Sequence, residues 1–182
     1  YADDFDFTNK TYGIQAGFKF TPAVELKGSY YWQDLSSGFA DYGVTEDSPK
    51  AWRAVLDVKQ DALKFTSLWF EYEQVDNSFV LYNAQNIWGT WSNIASITDN
   101  RPFGRDGTMK LWSIGLEQKW NDKWTTFEKY AKADFDNDLS DDANNWGIGV
   151  NYQYTPAVAF QLVYDKIDFG DYGVKYSGDD NV

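Results

Sequence analysis

The stretches "FKFTPAVELKGSYYW" (18–32) and "NYQYTPAVAFQLVYD" (151–165) share the tetrapeptide Thr-Pro-Ala-Val, 134 positions apart (155 − 21). Before the first copy, Phe20, Phe18, Ala16, Ile14 and Tyr12 occupy alternate positions, against Lys19, Gly17, Gln15, Gly13 and Thr11. Before the second, Tyr154, Tyr152, Val150, Ile148 and Trp146 stand against Gln153, Asn151, Gly149 and Gly147. A period of two with one apolar set is the strand period. The alternation resumes after each turn as Val24, Leu26, Gly28, Tyr30, Trp32 and as Val158, Phe160, Leu162, Tyr164. Two such strands around a proline turn predict a β-hairpin.

Two disguised copies lie between. Trp52, Ala54, Leu56 and Val58 lead into "KQDALKF", after which Leu63, Phe65, Ser67 and Trp69 are read as the apolar set. Trp112, Ile114 and Leu116 lead to Trp120 and the turn "NDKW". From Trp124 to Ala133 neither alternate set is cleanly apolar, a pattern that a β-bulge would explain. Four hairpins supply eight strands, and 173–182 offers the start of another. The expected fold is all-β: an antiparallel up-and-down sheet in a single domain over 1–182.

Turn lengths separate a membrane barrel from a soluble sandwich. The four hairpin turns are short, whereas roughly 34–50, 73–108 and 134–144 are long and polar. Short turns on one side and long loops on the other are the layout of an outer-membrane barrel. Aromatic residues also close the apolar stripes at both ends: Tyr12 with Phe20, Trp112 with Trp120, Trp146 with Tyr154, joined by Trp32, Trp52 and Trp69. These are expected at the two membrane interfaces. A soluble core has no reason to place Trp and Tyr at both ends of its strands. The apolar runs Phe79–Tyr82 and Ala157–Phe160 stop at four residues, far short of a membrane helix, but hydropathy windows miss a barrel.

Composition removes other functions. The chain has no cysteine and no histidine, so the commonest general base and metal ligand are missing. A net charge of −12 repels nucleic acid. Neither a nucleophile motif nor a phosphate loop occurs, and no enzyme activity or cofactor is expected. "DFDNDLSDD" repeats oxygens at alternate positions, but Leu139 and Asn145 stand where a calcium loop needs glycine and glutamate. The acidic run over 134–142 reads as a solvated loop, with weak binding of divalent cations near lipopolysaccharide as the alternative.

The hairpins "YGIQAGFKFTPAVELKGSYYW" and "WGIGVNYQYTPAVAFQLVYDK" resemble the barrel of porins from diderm Firmicutes such as Selenomonas and Veillonella, which join an S-layer homology domain to a C-terminal barrel. The resemblance implies a trimeric diffusion channel in the bacterial outer membrane, in contact with lipid and lipopolysaccharide. No S-layer homology region is present, and the final "YSGDDNV" lacks a terminal aromatic, so the chain reads as part of a larger barrel. A complete barrel of eight to ten strands is the alternative.

With the aromatic stripes toward lipid, the other set lines a pore. Its charged members are Lys19, Lys27, Arg53, Lys59, Lys64 and Lys119 against Glu25, Asp57, Glu117 and Asp165. Opposed charges on a wall favour small hydrophilic solutes and ions. Arg101 and Arg105 are constriction candidates if their long segment folds into the lumen; an outer cap or a further strand pair is the alternative. The competing class is a soluble β-sandwich carbohydrate-binding module, with nine tryptophans as stacking platforms.

Overall fold

The structure, a computed structural model, describes residues 8–42, 47–76, 78–79, 108–136 and 142–168. Eight strands form one antiparallel sheet: β1 (Asn9–Thr21), β2 (Val24–Leu35), β3 (Lys50–Val58), β4 (Thr66–Val75), β5 (Thr108–Lys119), β6 (Trp124–Asp136), β7 (Ala143–Thr155) and β8 (Val158–Asp168). Each pairs with its sequence neighbour, in the up-and-down order β1-β2-β3-β4-β5-β6-β7-β8. The sheet is open, with β1 and β8 at its edges. A 3-10 turn over Ser37–Tyr42 follows β2.

The two Thr-Pro-Ala-Val segments are the same turn in atomic detail. Thr21 Oγ1 accepts from Ala23 N at 3.2 Å, and Thr155 Oγ1 accepts from Ala157 N at 3.3 Å. The ladder shifts register at the same step in each, between Lys19 and Thr21 and between Gln153 and Thr155. Proline fixes φ and needs no partner for its nitrogen, while the threonine hydroxyl satisfies the next free N–H. The third turn uses asparagine: Asn121 Oδ1 accepts from Lys123 N (2.9 Å) and Trp124 N (3.0 Å).

The remaining turn corrects the expected phase of β4. A one-turn helix, α1 (Gln60–Leu63), follows β3, and Lys64 sits at φ 69° and ψ −64°. Phe65 N donates to Leu63 O at 2.9 Å, closing a γ-turn of the rare left-handed kind around Lys64. This kink resets the alternation by one residue. Leu68, Phe70 and Tyr72 pair opposite Val58, Leu56 and Ala54, so they carry the apolar stripe. Ser67 and Trp69 fall on the other face, and Trp69 is not one of the apolar-face aromatics. Lys64 stands in the turn rather than on a wall, and Lys59, just after β3, is the N-cap residue of the helix and makes no side-chain capping hydrogen bond.

The irregular pattern of β6 does not come from a bulge. Trp124–Asp136 runs in unbroken register against β5 and β7. Its mixed pattern comes from the residues themselves: Thr126, Glu128 and Tyr130 share the apolar-stripe side, with Thr125, Phe127 and Lys129 opposite.

The two faces differ in what they bury. On one, aromatic and aliphatic side chains stand exposed, among them Tyr12, Ile14, Phe18, Phe70, Ile148, Phe160 and Leu162. On the other, Ala51, Val75, Met109, Leu111, Ala131 and Ala133 form a buried cluster toward the long-loop end, with Tyr31, Phe79 and Phe135 packed against it. That cluster was not anticipated, and it shares its face with the charges.

Candidate functional site

Register through seven strands places the repeat in space. Phe18 pairs with Leu26, then Leu56, Phe70, Ile114, Tyr130 and Trp146 in turn. Trp146 is the sequence counterpart of Tyr12 (146 − 134), yet it lies level with Phe18. Equivalent positions are thus displaced by six residues (18 − 12) over six strand steps. At ~3.3 Å per residue and ~4.8 Å per strand spacing, a line through equivalent residues runs about 35° from the perpendicular to the strands.

That line is marked by aromatic pairs. Tyr12 stacks on Trp32 (ring centroids 5.6 Å), and Trp52 packs on Tyr72 (5.1 Å), Trp112 on Tyr130 (5.1 Å) and Trp146 on Tyr164 (5.2 Å). The last three pairs are diagonal across the ladder, each stepping the same way. Such pairs add about 0.5–1.5 kcal/mol beyond their buried area. A second row, near the tight turns, contains Phe20, Phe65 against Trp120 (5.5 Å), Trp124 against Tyr152 (4.4 Å), and Tyr154 against Phe160 (6.3 Å). Between the rows, the side chains on this face are apolar or small on seven strands, apart from Thr66 and Gln118 at the turn ends of β4 and β5. Beyond the first row the same face turns charged: Lys10 pairs with Asp34 at 3.8 Å, and Lys132 with Asp134 and Asp142 at 2.7 and 2.9 Å.

The opposite face holds the candidate site. Arg53 on β3 meets Glu71 on β4: Nη2 donates to Oε2 at 3.0 Å, and Nε approaches Oε1 at 2.6 Å with its N–H off-axis. Glu71 is 1% exposed and Glu73 3%. A carboxylate removed from water to that degree needs its guanidinium partner. Lys27 reaches Asp57 (3.2 Å) and Glu25 (3.6 Å) in an exposed group nearer the tight turns. Lys129 on β6 reaches across β7 to Asp165 on β8 at 3.0 Å, and Asn145 Nδ2 donates to the same carboxylate at 2.8 Å. Gly147 lies between Lys129 and Asp165, and a Cβ there would collide with both side chains. The missing side chain opens the path for a pair two strands apart. Trp69 lies over Gly115, Phe127 over Gly149 and Tyr31 over Gly13 in the same manner, each aromatic filling the space a Cβ would take.

The structure therefore brings Lys19, Glu25, Lys27, Arg53, Asp57, Glu117, Lys119 and Asp165 to one face, as the alternation implies. Sequence reasoning missed Glu71, Glu73, Lys129 and Asn145. The first two were hidden by the phase error in β4, and Lys129 by the mixed pattern of β6. Arg101 and Arg105 lie outside the described residues, as do Asp138 and Asp141 of the acidic run and the segment 173–182. Among the described residues no group of three or more acidic side chains is placed to hold a metal ion.

No family model matches this sequence, and no curated protein matches it either. Function has to be read from the two faces.

Proposed function

We propose that the sheet is the wall of a transmembrane β-barrel in the bacterial outer membrane, and that the barrel is a porin passing small hydrophilic solutes and ions by passive diffusion. One observation carries this reading: an apolar band bounded by aromatic rows on one face, slanted against strands that bear ion pairs on the other, with Glu71 fully buried beside Arg53. The slant of about 35° matches the tilt that a closed membrane barrel imposes on its strands. Eight steps from Tyr12 to Phe20 span about 26 Å, or about 21 Å of thickness at that tilt, close to the apolar band of such barrels. The charged collar of Lys10, Asp34, Lys132, Asp134 and Asp142 falls where headgroups and lipopolysaccharide lie, on the long-loop side.

A spanning sheet cannot leave backbone groups unpaired in hydrocarbon. The edges of β1 and β8 therefore have to be paired in the working barrel, with each other or with further strands. The charged face then lines the lumen. Arg53–Glu71 and Lys129–Asp165 set opposite charges side by side on the wall, a field that favours dipolar and hydrated solutes over apolar ones. The buried cluster near the long loops narrows the same face without charge. In a soluble sandwich a second sheet would have to cover the apolar band, yet all eight described strands belong to one sheet. A trimer, as in the porins the hairpins resemble, belongs to the same proposal.

Purified full-length protein in detergent is expected to migrate differently on gels before and after boiling, and to give stepwise conductance in planar bilayers. A chain that remains soluble and monomeric without detergent overturns the membrane reading. An inserted, heat-modifiable barrel without conductance overturns the porin reading alone.

A further inference from the structure

The apolar band contains a single acidic or basic side chain among the described residues, Glu128 on β6. It sits opposite Leu116 on β5 and Ile148 on β7, between the two aromatic rows. Gln118 Nε2 donates to Glu128 Oε2 at 3.0 Å, Thr126 Oγ1 donates to Gln118 Oε1 at 2.8 Å, and Trp120 Nε1 donates to Thr126 Oγ1 at 2.9 Å. Three consecutive hydrogen bonds join these four residues into a polar chain on a face that is otherwise apolar or small beside Glu128, where Leu116 and Ile148 flank it. A carboxylate facing lipid there is costly, and membrane proteins place such groups against protein or water.

Resting on the membrane reading above, we infer that the β5–β6 hairpin is where a second copy of this chain docks, the same patch meeting itself around a symmetry axis. Two features select that occupant. The patch is self-complementary: the second N–H of Gln118 Nε2 is a spare donor, and Glu128 Oε1 accepts no hydrogen bond among the described residues. A donor and an acceptor on one patch can be matched by an identical patch in any cyclic assembly. Among the described residues the band also offers no cation at this depth to neutralise Glu128, so a hydrogen bond supplied across an interface is the partner the patch is built to accept. The large aliphatic face of β8, with Leu162 at 73% exposure, carries no polar group at this depth and is left to lipid.

The test uses the full-length protein, first shown by heat-modifiable migration to form an inserted barrel. Association is then measured by native mass spectrometry in mild detergent over a dilution series, with the unfolding midpoint in urea recorded for each variant. The wild type is expected to be a homo-oligomer. Glu128→Leu is expected to raise the concentration at which it dissociates by roughly tenfold or more, the loss of a charge-assisted hydrogen bond per contact. Glu128→Gln, which keeps an acceptor, is expected to restore most of the association, and Leu162→Ala to leave it unchanged. A monomeric wild type overturns the inference. So does a Glu128→Leu variant that associates as before while unfolding at higher urea, the signature of a lipid-facing carboxylate removed. Failure to insert at all refutes the membrane reading instead, and this inference with it.

Discussion

Leu162 on one face of the sheet is 73% exposed, while Glu71 on the other is 1% exposed. A water-soluble sheet puts its leucines where Glu71 lies and its glutamates where Leu162 lies. Both faces obey the same rule of alternation, so strand formation is indifferent to which set is sheltered. What differs is the cost of shelter. Aliphatic groups left uncovered cost about 25 cal/mol per Å² in water and nothing in hydrocarbon, whereas a buried carboxylate has to be matched by a partner in either setting. Arg53 is that partner, through one hydrogen bond to Oε2 and a close charge contact to Oε1.

The sharpest way to break this contrast is to place one charge on each face of a single strand. Leu162→Arg in the apolar band is expected to destabilise the inserted protein by up to about 4 kcal/mol, read as a lower urea midpoint in vesicles. Gln161→Arg, one residue earlier and facing the other way, is expected to cost under about 1 kcal/mol. Equal effects would sink the assignment of lipid to one face. Next in size is Arg53→Leu, which strands Glu71 without its guanidinium and is expected to cost about 3 kcal/mol. The double variant Arg53→Leu with Glu71→Leu should regain most of that loss. Gly115→Val drives a branched side chain into the Trp69 ring and is expected to cost about 2 kcal/mol, with a shift in Trp fluorescence. Smallest is Lys64→Gly, which relieves the left-handed γ-turn and is expected to raise stability by about 1 kcal/mol in the same urea titration.

The outer stripes of β1, β2, β3, β7 and β8 were legible from sequence because apolar and polar residues alternate without interruption between a turn and an aromatic. The β4 stripe was not. A four-residue helix and a γ-turn contribute an odd step that hydrophobicity does not signal, so Trp69 was given the wrong face and Glu71 was overlooked. At the start of β5, Met109 and Leu111 belong to the set that later carries Glu117 and Lys119, opposite Trp112 and Ile114. No period-two reading could tell that the first pair enters a buried cluster. On β6 the irregular sequence left room for a bulge that no residue located. The strand is regular backbone carrying Glu128 on the apolar-stripe side, and the departure from pattern marks chemistry rather than geometry.

The six-residue stagger between the Thr-Pro-Ala-Val hairpins has a consequence for how such a wall can grow. Each hairpin brings two strands and, with them, two residues of offset, so the slope is a property of the unit rather than of the whole. Hairpins can be added or removed like staves of a cask. The circumference changes while the lean of every stave stays the same, and the aromatic hoops still meet at one height. On the barrel reading proposed above, a chain assembled from copies of one stave can thus vary its bore without renegotiating its fit to the membrane.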